Sequence, residues 1–238
     1  SLKLALRKAA LKEWAGTCFL NTLDSGSRAK WTAIAFASDV DYMISLKSDC
    51  NNNNWGIKSI YESLFKTLDG KYSNVRRQNV SVRITFDWLE VDITPARKHP
   101  DNSNDHWIYS SKRDTIQQTN IQIHINDVSK SQRLNEIKLL KIWRELHGLD
   151  FPSIYLEYLV IKNILSYSST SSDKLSDNFW FIITSLAKDT GNPLYSRIED
   201  PANSRNILSD LLSDPEKKKI IATAKMCVAS NSWNKTVW

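Results

Sequence analysis

Residues 26–46, GSRAKWTAIAFASDVDYMISL, decide how this chain of 238 residues is read. Asp39 and Asp41 are separated by one residue, so on a strand their carboxylates project to the same face. Val40 and Tyr42 alternate with them, which predicts a strand over 39–46. Upstream, Asp24-Ser25-Gly26-Ser27 reads as a turn whose backbone N–H groups and hydroxyl can cradle phosphate oxygens. A third acid, Asp92, lies in the predicted strand WLEVDIT (88–94), with Val91 and Ile93 facing the other way. Three carboxylates on adjacent strands supply the hard oxygen ligands that Mg²⁺ requires. Two such ions about 3.5–4 Å apart would suit phosphoryl transfer, one activating an attacking hydroxyl and the other stabilising a leaving pyrophosphate.

Singly, none of these pieces decides anything. A D-x-D pair at a strand edge is usually solvated, Gly-Ser is a common turn dipeptide, and Asp92 is equally an ion-pair partner for Arg97 or Arg83. Order and spacing carry the reading: Gly-Ser, twelve residues from Ser27 to Asp39, one residue between the pair, then an acid between apolar neighbours.

Composition sets the frame. Hydrophobic residues make up 41% and charged residues 24%, as in an ordinary globular protein with a core. No apolar run approaches the ~20 residues of a membrane span, and SLKLALRKAALKEW at the start lacks a signal-peptide core. Cys18, Cys50 and Cys227 are odd in number and widely spaced, so neither a disulfide framework nor a zinc site is expected, and a reducing, cytoplasmic setting is. The net charge of +6 favours an anionic partner.

Texture divides the chain into a mixed first half and a helical second half. Helices are expected over 2–14 and, most clearly, over IKSIYESLFKTL (57–68), whose apolar residues recur at helical spacing. Cys18–Leu23, Val80–Ile84 and Leu89–Ile93 read as strands, and KHPDNSND (98–105) as a loop. RLNEIKLLKIWREL (133–146), PSIYLEYLVIKNIL (152–165), SDNFWFIITSLAKD (176–189) and SDPEKKKIIATAKM (213–226) read as helices, the last capped by Asp214 with Pro215 at its first position. His99, His106, His124 and His147 are scattered, and Trp143, Tyr155 and Trp180 read as packing residues.

The 26–46 stretch resembles the Gly-Ser…Thr-Ala-Ile…Ser-Asp-x-Asp signature of bacterial CD-NTases, oligoadenylate synthases and archaeal CCA-adding enzymes, within the polymerase-β-like nucleotidyltransferase superfamily. EVDITPAR (90–97) is similar to the strand carrying their third carboxylate, and RRQNVSVRI (76–84) to the bacterial members. LNEIKLLKIWRELHGLDFPSIYLEYLV (134–160) and EDPANSRNIL (199–208) resemble their helical domain. The resemblance implies an α+β fold: a mixed β-sheet nucleotidyltransferase core over 1–115, a helical domain over 116–238, and an active site in the cleft between them. It implies catalysis and metal binding by Asp39, Asp41 and Asp92, with Mg²⁺ or Mn²⁺ as cofactor. Gly26, Ser27, Lys141 and Ser153 match nucleotide-binding positions.

The implied activity joins nucleoside triphosphates into a cyclic or linear oligonucleotide, a second messenger in anti-phage signalling, with release of pyrophosphate. Transfer to an RNA 3′ end or to a protein acceptor is the alternative, and a catalytically dead scaffold a third reading, against which the intact set of acids stands. Expected partners are nucleoside triphosphates, with a nucleic acid, a protein acceptor or a protein activator as further candidates and no membrane. Two departures stand out: Trp31 replaces the small residue usually found before Thr32, and no zinc-binding insertion is visible.

Overall fold

The computed structural model describes residues 2–35, 39–50, 56–86, 89–101 and 103–230. Its elements run α1 (Leu2–Ala15), β1 (Phe19–Asp24), the single-turn α2 (Gly26–Ala29), β2 (Val40–Leu46), α3 (Ile57–Asp69), β3 (Val75–Arg77), β4 (Val82–Phe86), β5 (Leu89–Lys98), β6 (His106–Ser110) and β7 (Thr115–Thr119). There follow α4 (Ile121–Ser129), α5 (Leu134–Leu146), α6 (Ser153–Leu159), α7 (Leu175–Leu186), the strand pair β8 (Glu199–Asp200) and β9 (Asn203–Ile207), and α8 (Asp214–Ser230). The chain forms two compact units, Ser1–Ala29 with Ser38–Ile123 and Lys30–Ala37 with His124–Trp238. No described helix is long and apolar enough to cross a membrane.

The first unit holds a mixed sheet of order β1-β2-β5-β4-β3, with β6 added beside β5 and β7 beside β6. β2 and β5 are parallel and the other pairs antiparallel. β5 is long enough to serve twice: its first half pairs with β4 and its last residues with β6. Alternation dictates what is buried: Val40, Tyr42, Val91 and Ile93 point into the core, while Asp41 and Asp92 between them stay half-buried on the other side. The apolar stripe Ile57, Ile60, Tyr61, Leu64 and Leu68 of α3 completes that core. Tyr61 is oriented by its hydroxyl, which donates to Gln78 O at 2.7 Å.

The second unit is helical, as expected, around a core built on Trp143, Tyr155, Tyr158, Leu159, Phe179 and Ile183. Tyr155 is fully buried and donates to Leu194 O at 3.0 Å. α6 runs directly into a π-helical turn at Val160–Ile164.

Three expectations are corrected. Cys18 and Cys50 form a disulfide: they are 32 residues apart in sequence, but the antiparallel register Phe19↔Leu46 and the bond from Lys47 N to Cys18 O bring their ends of β1 and β2 together. Cys227 takes no part in the disulfide; it is buried, and its Sγ accepts from Trp143 Nε1 at 3.4 Å. Second, Ser213 rather than Asp214 bonds the last helix start: its N–H and hydroxyl both donate to Glu216 Oε2, at 2.6 and 2.5 Å, the N–H bond being the carboxylate half of a capping box. Third, β6–β7 and β8–β9 occupy stretches to which the sequence assigned no strands.

Candidate active site

Asp41 and Asp92 are register partners on the parallel strands β2 and β5. In-register neighbours on adjacent strands share a face, so the two carboxylates lie on the same side of the sheet. Asp39 stands just before β2 and is brought to the same place by an ion pair. Arg83, the register partner of Asp92 on β4, carries that pair. Its Nε donates to Asp92 Oδ1 at 2.9 Å, and its Nη2 donates to Asp92 Oδ2 at 2.7 Å and to Asp39 Oδ2 at 2.8 Å. Its Nη1 donates to Glu90. Of the two ion-pair partners that the sequence offered Asp92, the structure pairs it with Arg83. Burial pushes the Asp39 carboxyl up, Arg83 pulls it down, and Glu90 and Asp92 push it up again, leaving it above the ordinary value of 3.8. The hydrogen bonds to Asp92 come first among the causes that hold the Arg83 guanidinium well above its usual range.

The Gly-Ser turn is built against Asp41. Gly26 has φ +66°, a left-handed conformation, and a Cβ placed on it would lie 1.9 Å from Asp41 Oδ2. Glycine is required here twice over, for the backbone angle and for the room. Ser25 N donates to Asp41 O at 2.9 Å, tying the turn to the strand. Ser27 follows as the second residue of α2, with Arg28 exposed.

Lys141 and Ser153 belong to the second unit. Lys141, on α5, is 2% exposed and donates to Glu157 Oε1 and to Thr32 Oγ1, both at 2.7 Å. Glu157, on α6, is fully buried and also accepts from Lys30 at 2.5 Å and from Thr32 at 2.9 Å. Burial raises the Glu157 carboxyl, but Lys30 and Lys141 outweigh it and hold it below 4.5. Lys141 is itself lowered, chiefly by burial; Glu157 raises it in part, and the neighbouring Lys30 ammonium lowers it further. Between the two pinned residues Lys30 and Thr32, Trp31 is 69% exposed with φ +63°. Ser153 Oγ accepts from Arg144 at 2.9 Å. Sequence reasoning missed Glu157 and Glu90. An acid among Tyr155, Leu156, Tyr158 and Leu159 was the available sign of a buried ion pair.

The acidic cluster fits a divalent cation in kind. Its donors are hard oxygens, and one positive group already satisfies two of its carboxylates. It is not drawn up around an ion: among the described residues no three His, Cys, Asp or Glu side chains stand close enough together to hold one.

A family model described as Second Messenger Oligonucleotide or Dinucleotide Synthetase domain matches residues 3–131. No curated protein matches the sequence. Among solved structures, the chain is similar to Escherichia coli MS115-1 CdnC, solved with ATP, at 19% identity and TM-score 0.68, covering 99% of this chain and 87% of that one. It is similar to the Bradyrhizobium diazoefficiens CD-NTase CdnG in complex with GTP at 13% identity and TM-score 0.66, covering 96% and 85%. Escherichia coli DncV in a 3′-deoxy GTP bound form matches at 13% identity and TM-score 0.67, covering 90% and 65%.

Proposed function

The chain belongs to the Second Messenger Oligonucleotide or Dinucleotide Synthetase family, and on that premise we propose that it joins nucleoside triphosphates into a cyclic or linear oligonucleotide on the sheet face carrying Asp39, Asp41 and Asp92. It is a nucleotidyltransferase by family. The observation that carries the assignment of the face is the register of Asp41 against Asp92, with Gly26 closed down on Asp41. A turn that requires glycine because a carboxylate fills the space has no purpose in a solvated strand edge.

In this reading Asp39, Asp41 and Asp92 would hold Mg²⁺ or Mn²⁺, which would supply charge stabilisation to the transferring phosphoryl group. The chain's own residues do the rest. Register fixes Asp41 and Asp92 relative to each other without needing a flexible loop, so little ordering cost falls on the reacting complex. Gly26 and Ser27 present N–H groups and a hydroxyl to phosphate oxygens beside Asp41. Lys141 and Ser153 are proposed as further nucleotide contacts. Lys141 is held by Glu157 and Thr32, and Ser153 by Arg144, so either contact requires that the side chain first be released.

The first, sheet-bearing unit would then form the catalytic core and the second unit the helical domain. Pyrophosphate is the expected leaving product, and the cytoplasm, where nucleoside triphosphates are made, the expected location. A role in anti-phage signalling accompanies the family. CdnC has been solved in a complex with HORMA-deltaN, and a protein activator is among the partners proposed for this chain.

The test is direct. Purified protein is incubated with labelled nucleoside triphosphates and Mg²⁺ or Mn²⁺, and the products are resolved by mass spectrometry. Oligonucleotide products support the reading. Label found on an added RNA end or on protein instead would move the assignment to acceptor transfer.

A further inference from the structure

Four charged side chains meet where the family reading places a metal, and one of them has the wrong sign for a ligand. Arg83 reaches across from β4 and engages both oxygens of Asp92, one of Asp39, and Glu90. Its side chain is 21% exposed, against 13% for Asp92 and 40% for Asp39. A half-buried guanidinium that spends its whole fork on three carboxylates is a specific arrangement rather than a surface ion pair. Three acids against one guanidinium leave negative charge over, and Asp41, in register with Asp92, adds to it. The cluster therefore still attracts a cation while Arg83 is in place.

The geometry also says what Arg83 does to the ligands. A single nitrogen, Nη2, donates to Asp39 Oδ2 at 2.8 Å and to Asp92 Oδ2 at 2.7 Å, so it draws an oxygen from just before β2 and one from β5 toward one point. Without a positive group there, those carboxylates would repel across the gap. The same bonds engage both oxygens of Asp92, so a divalent ion bound there would be repelled by the guanidinium beside it. Glu90 offers the alternative seat: it lies two residues before Asp92 on β5, on the same face, and already holds Nη1.

We propose that Arg83 is a built-in counter-charge that competes with the metal at this site: its guanidinium stands in the cation's place, offsets the repulsion between Asp39 and Asp92, and withdraws onto Glu90 when a divalent metal ion binds. The proposal rests on the reading of the three aspartates as metal ligands.

The experiment uses the nucleotide-free full chain and Mn²⁺ alone. Free Mn²⁺ is followed by electron paramagnetic resonance, and the melting temperature is recorded with and without the metal. Arg83→Gln should bind Mn²⁺ about tenfold more tightly than wild type, the factor that corresponds to losing one competing charge-assisted hydrogen bond. Its metal-free melting temperature should fall, and Mn²⁺ should restore more of it than in wild type. Should Arg83→Gln not fold, Arg83→Lys keeps the charge but loses the fork, and should also bind Mn²⁺ more tightly than wild type. A purely structural role for Arg83 would lower the melting temperature equally with and without metal. Affinity no higher than wild type in these variants, with a normal wild-type Mn²⁺ response, would overturn the Arg83 proposal alone. A wild-type protein that does not respond to Mn²⁺ at all would overturn the metal reading and this proposal with it.

Discussion

Gly26 approaches Asp41 so closely that a Cβ at residue 26 would fall 1.9 Å from Asp41 Oδ2, where ordinary contact is 3.4–4 Å. Gly26→Ala must therefore displace the turn or the carboxylate by more than an ångström, and must also hold an L-residue at φ +66°. The backbone part alone costs about 1–2 kcal/mol. Nucleotide transfer should fall on the order of a hundredfold, as for catalytic groups moved by about an ångström, while circular dichroism shows the fold retained. Steady-state kinetics of Gly26→Ala beside wild type checks this, and unchanged kcat/KM would contradict it.

The buried group Lys30–Glu157–Lys141 gives a stability prediction with a pH signature. Glu157→Gln leaves two ammonium groups in the interior without their shared counter-charge, and breaking a buried pair in this way costs roughly 3–5 kcal/mol. The Glu157 carboxyl is held below its ordinary 4.5 in the folded chain. The stabilisation is therefore present above about pH 4.5 and is lost as the pH falls through the lower, folded value. Denaturant melts across the acid range should show wild type losing stability in that window, with Glu157→Gln lower at neutral pH, lacking this part of the slope, and converging with wild type in acid. Equal stability of the two proteins at neutral pH would refute the role given to Glu157.

The Cys18–Cys50 link closes a separation of 32 residues. In the chain-entropy treatment a loop of that size is worth roughly 3–4 kcal/mol, or on the order of 10 °C in a protein of this length. Adding a reductant before a thermal melt should lower the melting temperature by that order, and Cys50→Ser should give the lower value with or without reductant. A melting temperature indifferent to reductant in wild type would show that the link contributes nothing.

How much of this was legible in the sequence follows from the range of each interaction. Asp41 and Asp92 could be placed on one face because alternation with Val40, Tyr42, Val91 and Ile93 is a local pattern with period two. The helix at Ile57–Asp69 was legible for the same reason at period 3.6. Arg83 was legible only as one of two candidates for Asp92, since choosing it requires the register of β4 against β5. Glu157 was not foreseen: its partners Lys30 and Thr32 lie 127 and 125 residues away. Cysteine spacing misled because pairing depends on which strand ends meet, which the hairpin-like register of β1 and β2 decides. The β6–β7 pair escaped because its turn contains Asp114 at φ +49°, a position where composition gave no glycine signal.

The central claim is that the three aspartates form one metal-dependent transfer site. It is tested most directly by replacing Asp39 and Asp41 together with Asn and measuring both nucleotide transfer and the Mg²⁺-induced shift in melting temperature. Asn keeps the shape and an acceptor oxygen but not the charge, so ligand-linked stabilisation of the native state should disappear. The expected result is no detectable transfer, no Mg²⁺ shift, and a retained circular dichroism spectrum. A double variant that transfers nucleotides at the wild-type rate would contradict it.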